Sequence, residues 1–532
     1  MEFDFVIVGA GSAGCVLANR LSADPSVTVA LIEAGGRDVS PWIHVPVGYF
    51  KTIKDPALNW MYRTEADKGL NGRQLNWPRG KTLGGSSSIN GLLYVRGQPE
   101  DYDRWRQMGN LGWGWDDLLP LFKRSESWEG EADPVRGVKG ELSVSRSRQS
   151  WQVVDAWVEA AKQAGFAFNP DYNGISQEGV GFFQLTARNG LRCSSAKAFL
   201  KPARSRSNLK VFTHIQVENV ELDGSRAIAV RGRRHGSPVR IAARREIILS
   251  AGAIGSPQIL MLSGIGAPDH LSDHGISVRH ALPGVGQNLQ DHLQARPVYR
   301  CNAPTINTRT RGFFNQTRIG LEYMLNRSGP LTLAASLGTG FLKTRPDLDT
   351  PDIQFHIQPF SANNPTTDTD DFDAFTASVL QLRPESTGEI RLRSARAEDH
   401  PLIHPNYLAT PLDQQTIVEG IRMARRICRQ SPVAELITEE HAPGKAVPDE
   451  DYEGLLQWAR DTATTIYHPT GTCKMGSDPM AVVDERLRVH GIEGLRVADA
   501  SIMPVIVSGN TNAPAIMIGE KASDMIREDM HR

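Results

Sequence analysis

The sequence predicts a mixed α/β (α+β) protein in which a domain built on an antiparallel sheet with helices is inserted into a domain built on a parallel sheet. Three observations predict it. The chain opens with a compact strand–helix–strand unit; text rich in Gly, Ala and Ser returns around residues 80–90, 250–266 and 466–512; and residues 300–465 lack those glycine runs and carry prolines and a polar loop. Like text at the start, middle and end of a chain implies a discontinuous domain with another inserted into it. The boundaries expected are 1–155, 195–297 and 466–532 for the first domain, and 156–194 and 298–465 for the second.

The elements follow in order. Phe3-Asp4-Phe5-Val6-Ile7-Val8 reads as a buried strand, Gly9-Ala10-Gly11-Ser12-Ala13-Gly14 as a tight turn, and Cys15 to Leu21 as a helix. After a turn at Asp24-Pro25, Val27 to Ile32 forms a second strand ending in Glu33, which makes a βαβ unit with parallel pairing. Residues 101–160, rich in tryptophan (Trp105, Trp113, Trp115, Trp157), read as helical. From Leu209 to Ser250 short alternating strands are punctuated by Asp223-Gly224 and Gly236-Ser237-Pro238, which predicts an antiparallel meander. Its arginines (Arg231, Arg233, Arg234, Arg240, Arg244, Arg245) read as a solvated face, not a nucleic-acid patch. The polar loop from Ser361 to Asp373 reads as solvated surface, with the rim of a pocket as the alternative.

Composition narrows the classes of function. At 532 residues and 40% hydrophobic, the chain can bury a large core across two domains or more. A net charge of −1 gives no electrostatic case for nucleic acid. The five cysteines (Cys15, Cys193, Cys301, Cys428, Cys473) are scattered and contain no C-x-x-C pair, so no metal site and no disulfide frame is expected. No apolar run approaches the roughly 20 residues that span a bilayer. With the first strand starting at Phe3, a cytoplasmic protein is expected, and peripheral attachment to the inner membrane stays open.

Four motifs carry chemistry. In the first, Gly9 permits a tight turn, Gly11 lets backbone approach a pyrophosphate, and Gly14 allows close helix–strand packing. The helix start at Ser12 and Ala13 offers N–H dipoles to phosphates. Glu33 and Ala34 close the unit, with Glu33 lying 19 residues past Gly14 to accept ribose hydroxyls. NAD and FAD both fit this fingerprint. The second is Gly80-Lys81-Thr82-Leu83-Gly84-Gly85-Ser86-Ser87-Ser88-Ile89-Asn90, followed by apolar Gly91 to Val95: a polar cradle of bare backbone and small hydroxyls set against something buried. In the third, from Ser250 to Gly266, the small residues Ala251 and Gly252 suit a chain crossing close to a cofactor, although core packing would also explain them. The fourth is Tyr467-His468-Pro469, with Asn510-Thr511-Asn512 downstream, Asn512 lying 44 positions after His468. A histidine near neutrality takes a hydroxyl proton and an asparagine binds the resulting oxygen, yet on residues alone His468 reads sooner as a structural histidine than as a base. Neither G-x-S-x-G nor H-E-x-x-H occurs, which leaves hydrolase and metalloprotease readings unsupported.

Together these motifs, spread over essentially the whole chain, resemble the glucose–methanol–choline (GMC) oxidoreductases, especially choline dehydrogenases and bacterial FAD-dependent alcohol dehydrogenases. The resemblance implies a Rossmann-like FAD-binding domain joined to a substrate-binding domain, with FAD held by Gly9, Gly11, Ser12, Ala13, Gly14, Glu33, Ala34, Gly80, Thr82, Gly84, Gly85, Ser86, Asn90, Gly91, Val217, Ala251, Gly252, Asp499 and Ala500. It implies His468 as the base that removes a hydroxyl proton while hydride passes to flavin N5, and Asn512 as its partner. His356, Tyr467 and Leu337 are the expected substrate residues, and His292 is expected to be structural. Some family oxidases tether FAD through a histidine where this chain has Ile89, so noncovalent FAD is expected. Choline-specific relatives carry a glutamate where the segment Ser336 to Gly340 has none, with Leu337 at the aligned position. A primary, neutral alcohol oxidised to its aldehyde is therefore expected, with a quinone-like carrier or oxygen as electron acceptor. Choline dehydrogenation, an oxygen-using oxidase and a hydroxynitrile-lyase-like activity are the alternatives.

Overall fold

Two β-sheets organise the chain, and the site lies between the carboxyl edge of the first and a face of the second. The structure is a computed structural model that describes residues 1–362 and 369–530. The tip of the polar loop, Asn363 to Asp368, lies outside the described residues.

The first sheet is parallel at its centre. Strand Glu2–Val8 pairs with Val29–Ile32 on one side and with the last half of the long strand Ser237–Leu249 on the other. Leu209–Phe212 extends the sheet beyond Val29–Ile32, and Leu495–Val497 runs parallel to Ile247 through Leu249. The apolar halves of these strands are buried on both faces, as a covered parallel sheet requires. The first half of Ser237–Leu249 leaves the core and joins Ile215–Asp223 and Arg226–Arg234 in an antiparallel meander. Its arginines are exposed: Arg231 and Arg240 pair with Glu221, Arg233 with Glu218, and Arg244 with Glu2 and Asp4. The meander thus starts at Ile215 and not at Leu209. Asn208 Nδ2 donates to the carbonyls of Ser22, Asp24 and Val27, which docks Leu209–Phe212 beside the second strand as a parallel edge.

The second sheet is antiparallel, in the spatial order Ile437–Ala442, Val298–Cys301, Ala374–Gln381, Ile353–Gln358, Gly338–Leu342, Gly179–Phe182. Helices Gln152–Gln163 and Pro411–Cys428 pack on it. Leu293–Ala295, on the cofactor side of the boundary expected from sequence, hydrogen-bonds into this sheet through Ala374–Gln381 and Thr464–Thr465. The fold is therefore mixed α/β, as expected.

Parallel strands end together, and their ends define the site. The turns after Val8, Ile32, Leu249 and Val497 open on one side, so Gly9, Glu33, Ser250 and Asp499 gather at the carboxyl edge, where open α/β sheets bind ligands. Helix Ser12–Leu21 rises from this edge. It can sit so close because Gly14 has no side chain: a Cβ there would lie 1.9 Å from the carbonyl oxygen of Gly9.

Candidate functional site

A cavity of about 330 Å³ runs from this carboxyl edge to the face of the antiparallel sheet. Of the expected residues, Gly9, Gly11, Ser12, Ala13, Glu33, Ala34, Gly80, Gly85, Ser86, Asn90, Gly91, Val217, Ala251, Gly252, Asp499, Ala500, His356, Tyr467, His468 and Asn512 line it. Gly14, Thr82, Gly84 and Leu337 do not. Thr82 Oγ1 donates to the Gly36 carbonyl and Gly84 N to that of Ala10, so both brace the cradle from behind. Leu337 is buried in the hydrophobic core, and its neighbour Ala335 lines the cavity instead.

At one end the groups are already organised. Glu33 is buried and accepts from the backbone N–H of Ala10 and of Gly35. Burial pushes its carboxyl up to about 7, against those amides and Lys81, which hold it down. A carboxylate has about four lone-pair sites, so two acceptor positions remain for hydroxyls. Helix Ser12–Leu21 has no side-chain cap, so its first N–H groups face the cavity with the positive end of the dipole. The glycine–serine run crosses in front: a Cβ on Gly85 would meet Gly11 Cα at 2.7 Å, so only bare backbone closes this cradle. Asp499 holds the opposite wall, accepting from Gly252 N, Ser256 Oγ and Ser501 N.

Between the ends, Arg192 anchors Asn90. Its Nη1 donates to Asn90 Oδ1 at 2.7 Å and its Nη2 to the Asn90 carbonyl at 2.7 Å, while Nε donates to the Ile43 carbonyl. Burial pulls this guanidinium down to about 9. Asn90 Oδ1 also accepts from Leu92 N, and Asn90 lines the cavity.

The far end is built around His468. The preceding residue, Tyr467, has φ +70, a left-handed backbone that is costly for a bulky residue. Arg79 Nη2 holds it by donating to the Tyr467 carbonyl at 2.6 Å, and buried Asp291 accepts from His468 N at 2.6 Å, Thr465 Oγ1 at 2.5 Å and the Tyr407 hydroxyl. The imidazole then has a determined tautomer. His292 Nε2 lies 2.8 Å from the Leu382 carbonyl, which only accepts, so the proton of His292 sits on Nε2. Burial pulls His292 down to about 4, so it is neutral and its Nδ1 is bare. His468 Nδ1, 3.0 Å from that bare nitrogen, must carry the proton. His468 is itself held well below the ordinary histidine range by burial, and then by His292, His356 and Arg79. Its Nε2 is therefore a bare lone pair, and Asn510 Nδ2 donates to it at 3.0 Å.

Asn512 stands elsewhere. It begins helix Asn512–Met530, and its Oδ1 accepts from Ser12 Oγ at 2.8 Å, joining the starts of two helices. The amide that meets His468 belongs to Asn510, two residues earlier. Arg192, Asp291, Arg79, Asn510 and Arg296 are site residues that sequence reasoning missed. Asn510 and Asp291 lay inside family-like stretches and Arg79 beside the Gly80–Asn90 run, but with no role read for them; Arg192 and Arg296 are single side chains from distant segments.

The comparisons with known proteins now have a geometry to meet. Residues 3–294 match the N-terminal model of the GMC oxidoreductases and residues 384–519 the C-terminal one. The chain belongs to the GMC oxidoreductase family. It is 44% identical over 98% of its length to an alcohol dehydrogenase [acceptor] of Pseudomonas putida, covering 95% of that protein. It is also 44% identical, over 99% of its length, to the mitochondrial choline dehydrogenase of Homo sapiens, covering 90% of that one. Among solved structures, pyridoxine 4-oxidase from Mesorbium loti superposes with a TM-score of 0.89 at 31% identity, covering 100% of this chain and 99% of the other. As a GMC oxidoreductase the chain is an enzyme that acts on CH–OH donors, and the family implies FAD. The residues present fit that group: the backbone cradle at Gly11 and Gly85 leaves room for a pyrophosphate, Glu33 keeps acceptor positions for a ribose, and the apolar stretch past Ile89 and Leu93 suits a flat ring.

Proposed function

We propose that this GMC oxidoreductase oxidises primary alcohols that carry no positive charge to aldehydes, with His468 as base. FAD, when bound, supplies the two-electron acceptor chemistry. The observation that carries the reading is the hydrogen-bond chain Leu382 carbonyl, His292, His468, which leaves Nε2 of a cavity-lining histidine unprotonated, with only the Asn510 amide for a substrate hydroxyl to displace. A hydroxyl placed at Nε2 loses its proton there, and the charge that develops on the ring spreads toward His292. Asn510 Nδ2, beside the same nitrogen, donates to the substrate oxygen as negative charge grows on it. Asn90 and Asn512 also line the cavity.

Noncovalent FAD belongs to the same reading. Ile89 lines the cavity, and no cysteine does. We also take residues 1–155, 195–292 and 466–532 as the cofactor domain and the rest as the substrate domain, the expected boundary at 297 moving back because Leu293–Ala295 pairs into the antiparallel sheet, with the cavity between. Choline is disfavoured because, among the described residues, the only cavity carboxylates, Glu33 and Asp499, are held by backbone amides or hydroxyls on the cofactor side, while the substrate side carries Arg296. The test is anaerobic addition of a primary alcohol panel, with choline included, to the yellow holoenzyme. Bleaching by uncharged alcohols supports the reading. A flavin that stays oxidised with every alcohol, while a cyanohydrin is cleaved, would replace it with lyase chemistry. Repeating turnover with a dye and with oxygen identifies the acceptor.

A further inference from the structure

Among the described residues, Arg296 is a buried cation with no ion-pair partner. It follows Leu293–Ala295, is 5% exposed and lines the cavity at the His468 end. Its Nη1 has one long contact, 3.5 Å to Ser378 Oγ, and its Nε and Nη2 have no hydrogen-bond partner. Asp370 is the acid whose field reaches it, and that carboxylate accepts from Ser361 Oγ instead. Tyr49 and Tyr467 also face it, neutral at ordinary pH because burial raises both hydroxyls. Burial lowers the guanidinium only to about 10, so it stays charged at neutral pH. A charge taken out of water without a partner is strongly unfavourable, and a fold retains it at a binding site when a ligand supplies the partner.

The two orphaned nitrogens identify the ligand's chemistry. Nε–H and one Nη2–H lie parallel on one edge of the guanidinium and match the two oxygens of a carboxylate. The surrounding groups extend the polar lining: Gln294 Oε1, Gln358 Oε1, His356 Nε2 and the Tyr49 hydroxyl are also buried and unpartnered, and all four residues line the cavity. His356 links the two ends electrostatically, since Arg296 acts on it and it acts on His468.

We propose that the substrate is a hydroxy acid: a primary alcohol whose carboxylate docks side-on at Nε and Nη2 of Arg296 while its hydroxyl reaches His468 Nε2. This rests on the alcohol-oxidation reading above and narrows its substrate class from alcohols without positive charge to anionic ones.

The test uses wild-type holoenzyme with ω-hydroxy acids of three to six carbons against the 1-alkanols of equal length. At the best-fitting length the acid is expected to exceed its alkanol in kcat/KM by about a hundredfold, the scale of a buried charge pair. In Arg296→Met that ratio is expected to collapse toward one, mostly through KM, and Arg296→Lys is expected to retain part of it. Pentanoate, which has no hydroxyl to oxidise, is expected to shift the flavin absorbance of the wild-type protein and not of Arg296→Met. Alkanols oxidised as well as the acids by the wild type, or a preference that survives in Arg296→Met, would overturn the proposal. If neither series reduces the flavin, the oxidation reading fails on its own, and pentanoate binding still decides the role of Arg296.

Discussion

The two ends of the cavity are built on opposite plans. At the cofactor end every charged group is already engaged: Glu33 by two backbone amides, Asp499 by Gly252, Ser256 and Ser501. At the substrate end polar atoms are left over on Arg296, Gln294, Gln358, His356 and Asn510. An end that satisfies itself can bind the same ligand in every turnover and stay rigid. An end with orphaned donors and acceptors waits for a partner that arrives and leaves, because a buried polar atom without a hydrogen bond is costly until one is supplied. The difference separates what holds the cofactor from what selects the substrate.

That contrast can be broken from either side. The largest effect is expected at Gly14, where any Cβ collides with the Gly9 carbonyl. Gly14→Val should yield protein without flavin or no folded protein, measured by absorbance and circular dichroism. Next comes the pair of asparagines. Asn510→Ala removes the donor beside His468 Nε2 and should slow flavin reduction about a hundredfold at unchanged flavin content. Asn512→Ala breaks a bond to Ser12 and should act mainly on flavin retention. Equal losses of reduction rate in the two variants would contradict this division.

A smaller effect is expected from His292→Ala, roughly thirtyfold in the reduction rate, because it removes the acceptor that fixes the His468 tautomer. The wild-type pH profile carries the sign. His468 titrates well below the ordinary histidine range, so its base form is complete at neutral pH, and kcat/KM should fall only as pH drops through that depressed value. In His292→Ala the rate should lose its plateau, and an unchanged profile would reduce His292 to packing. The smallest change is expected at Glu33→Ala: FAD bound more weakly by about 2 kcal/mol, roughly thirtyfold in Kd, with an unaltered reduction rate per bound flavin.

The same contrast explains what the sequence made legible. The cofactor end is written in backbone geometry, and glycines at fixed offsets followed by one acid declare such geometry locally. Gly9, Gly11, Glu33 and the run from Gly80 to Asn90 were readable for that reason. The substrate end is assembled from single side chains far apart in the chain. Asp291 reaches His468 across 177 positions and Arg192 reaches Asn90 across 102, and no short spacing encodes either contact. Leu337 shows the limit from another direction. A segment without an acid offers no chemistry by which to fix which of its residues faces the cavity, and the structure turns Ala335 there and sends Leu337 into the core. Asn510 and Asn512 differ by two positions in one motif, and only the start of helix Asn512–Met530 decides which amide meets the imidazole.

The claim that orders the whole account is that His468 Nε2 takes the hydroxyl proton. Anaerobic stopped-flow reduction of His468→Ala, at matched flavin content, tests it most directly. The account predicts a reduction rate lower by about 10²- to 10⁴-fold with full flavin occupancy. A variant that keeps its flavin and is reduced by alcohol at the wild-type rate would contradict it.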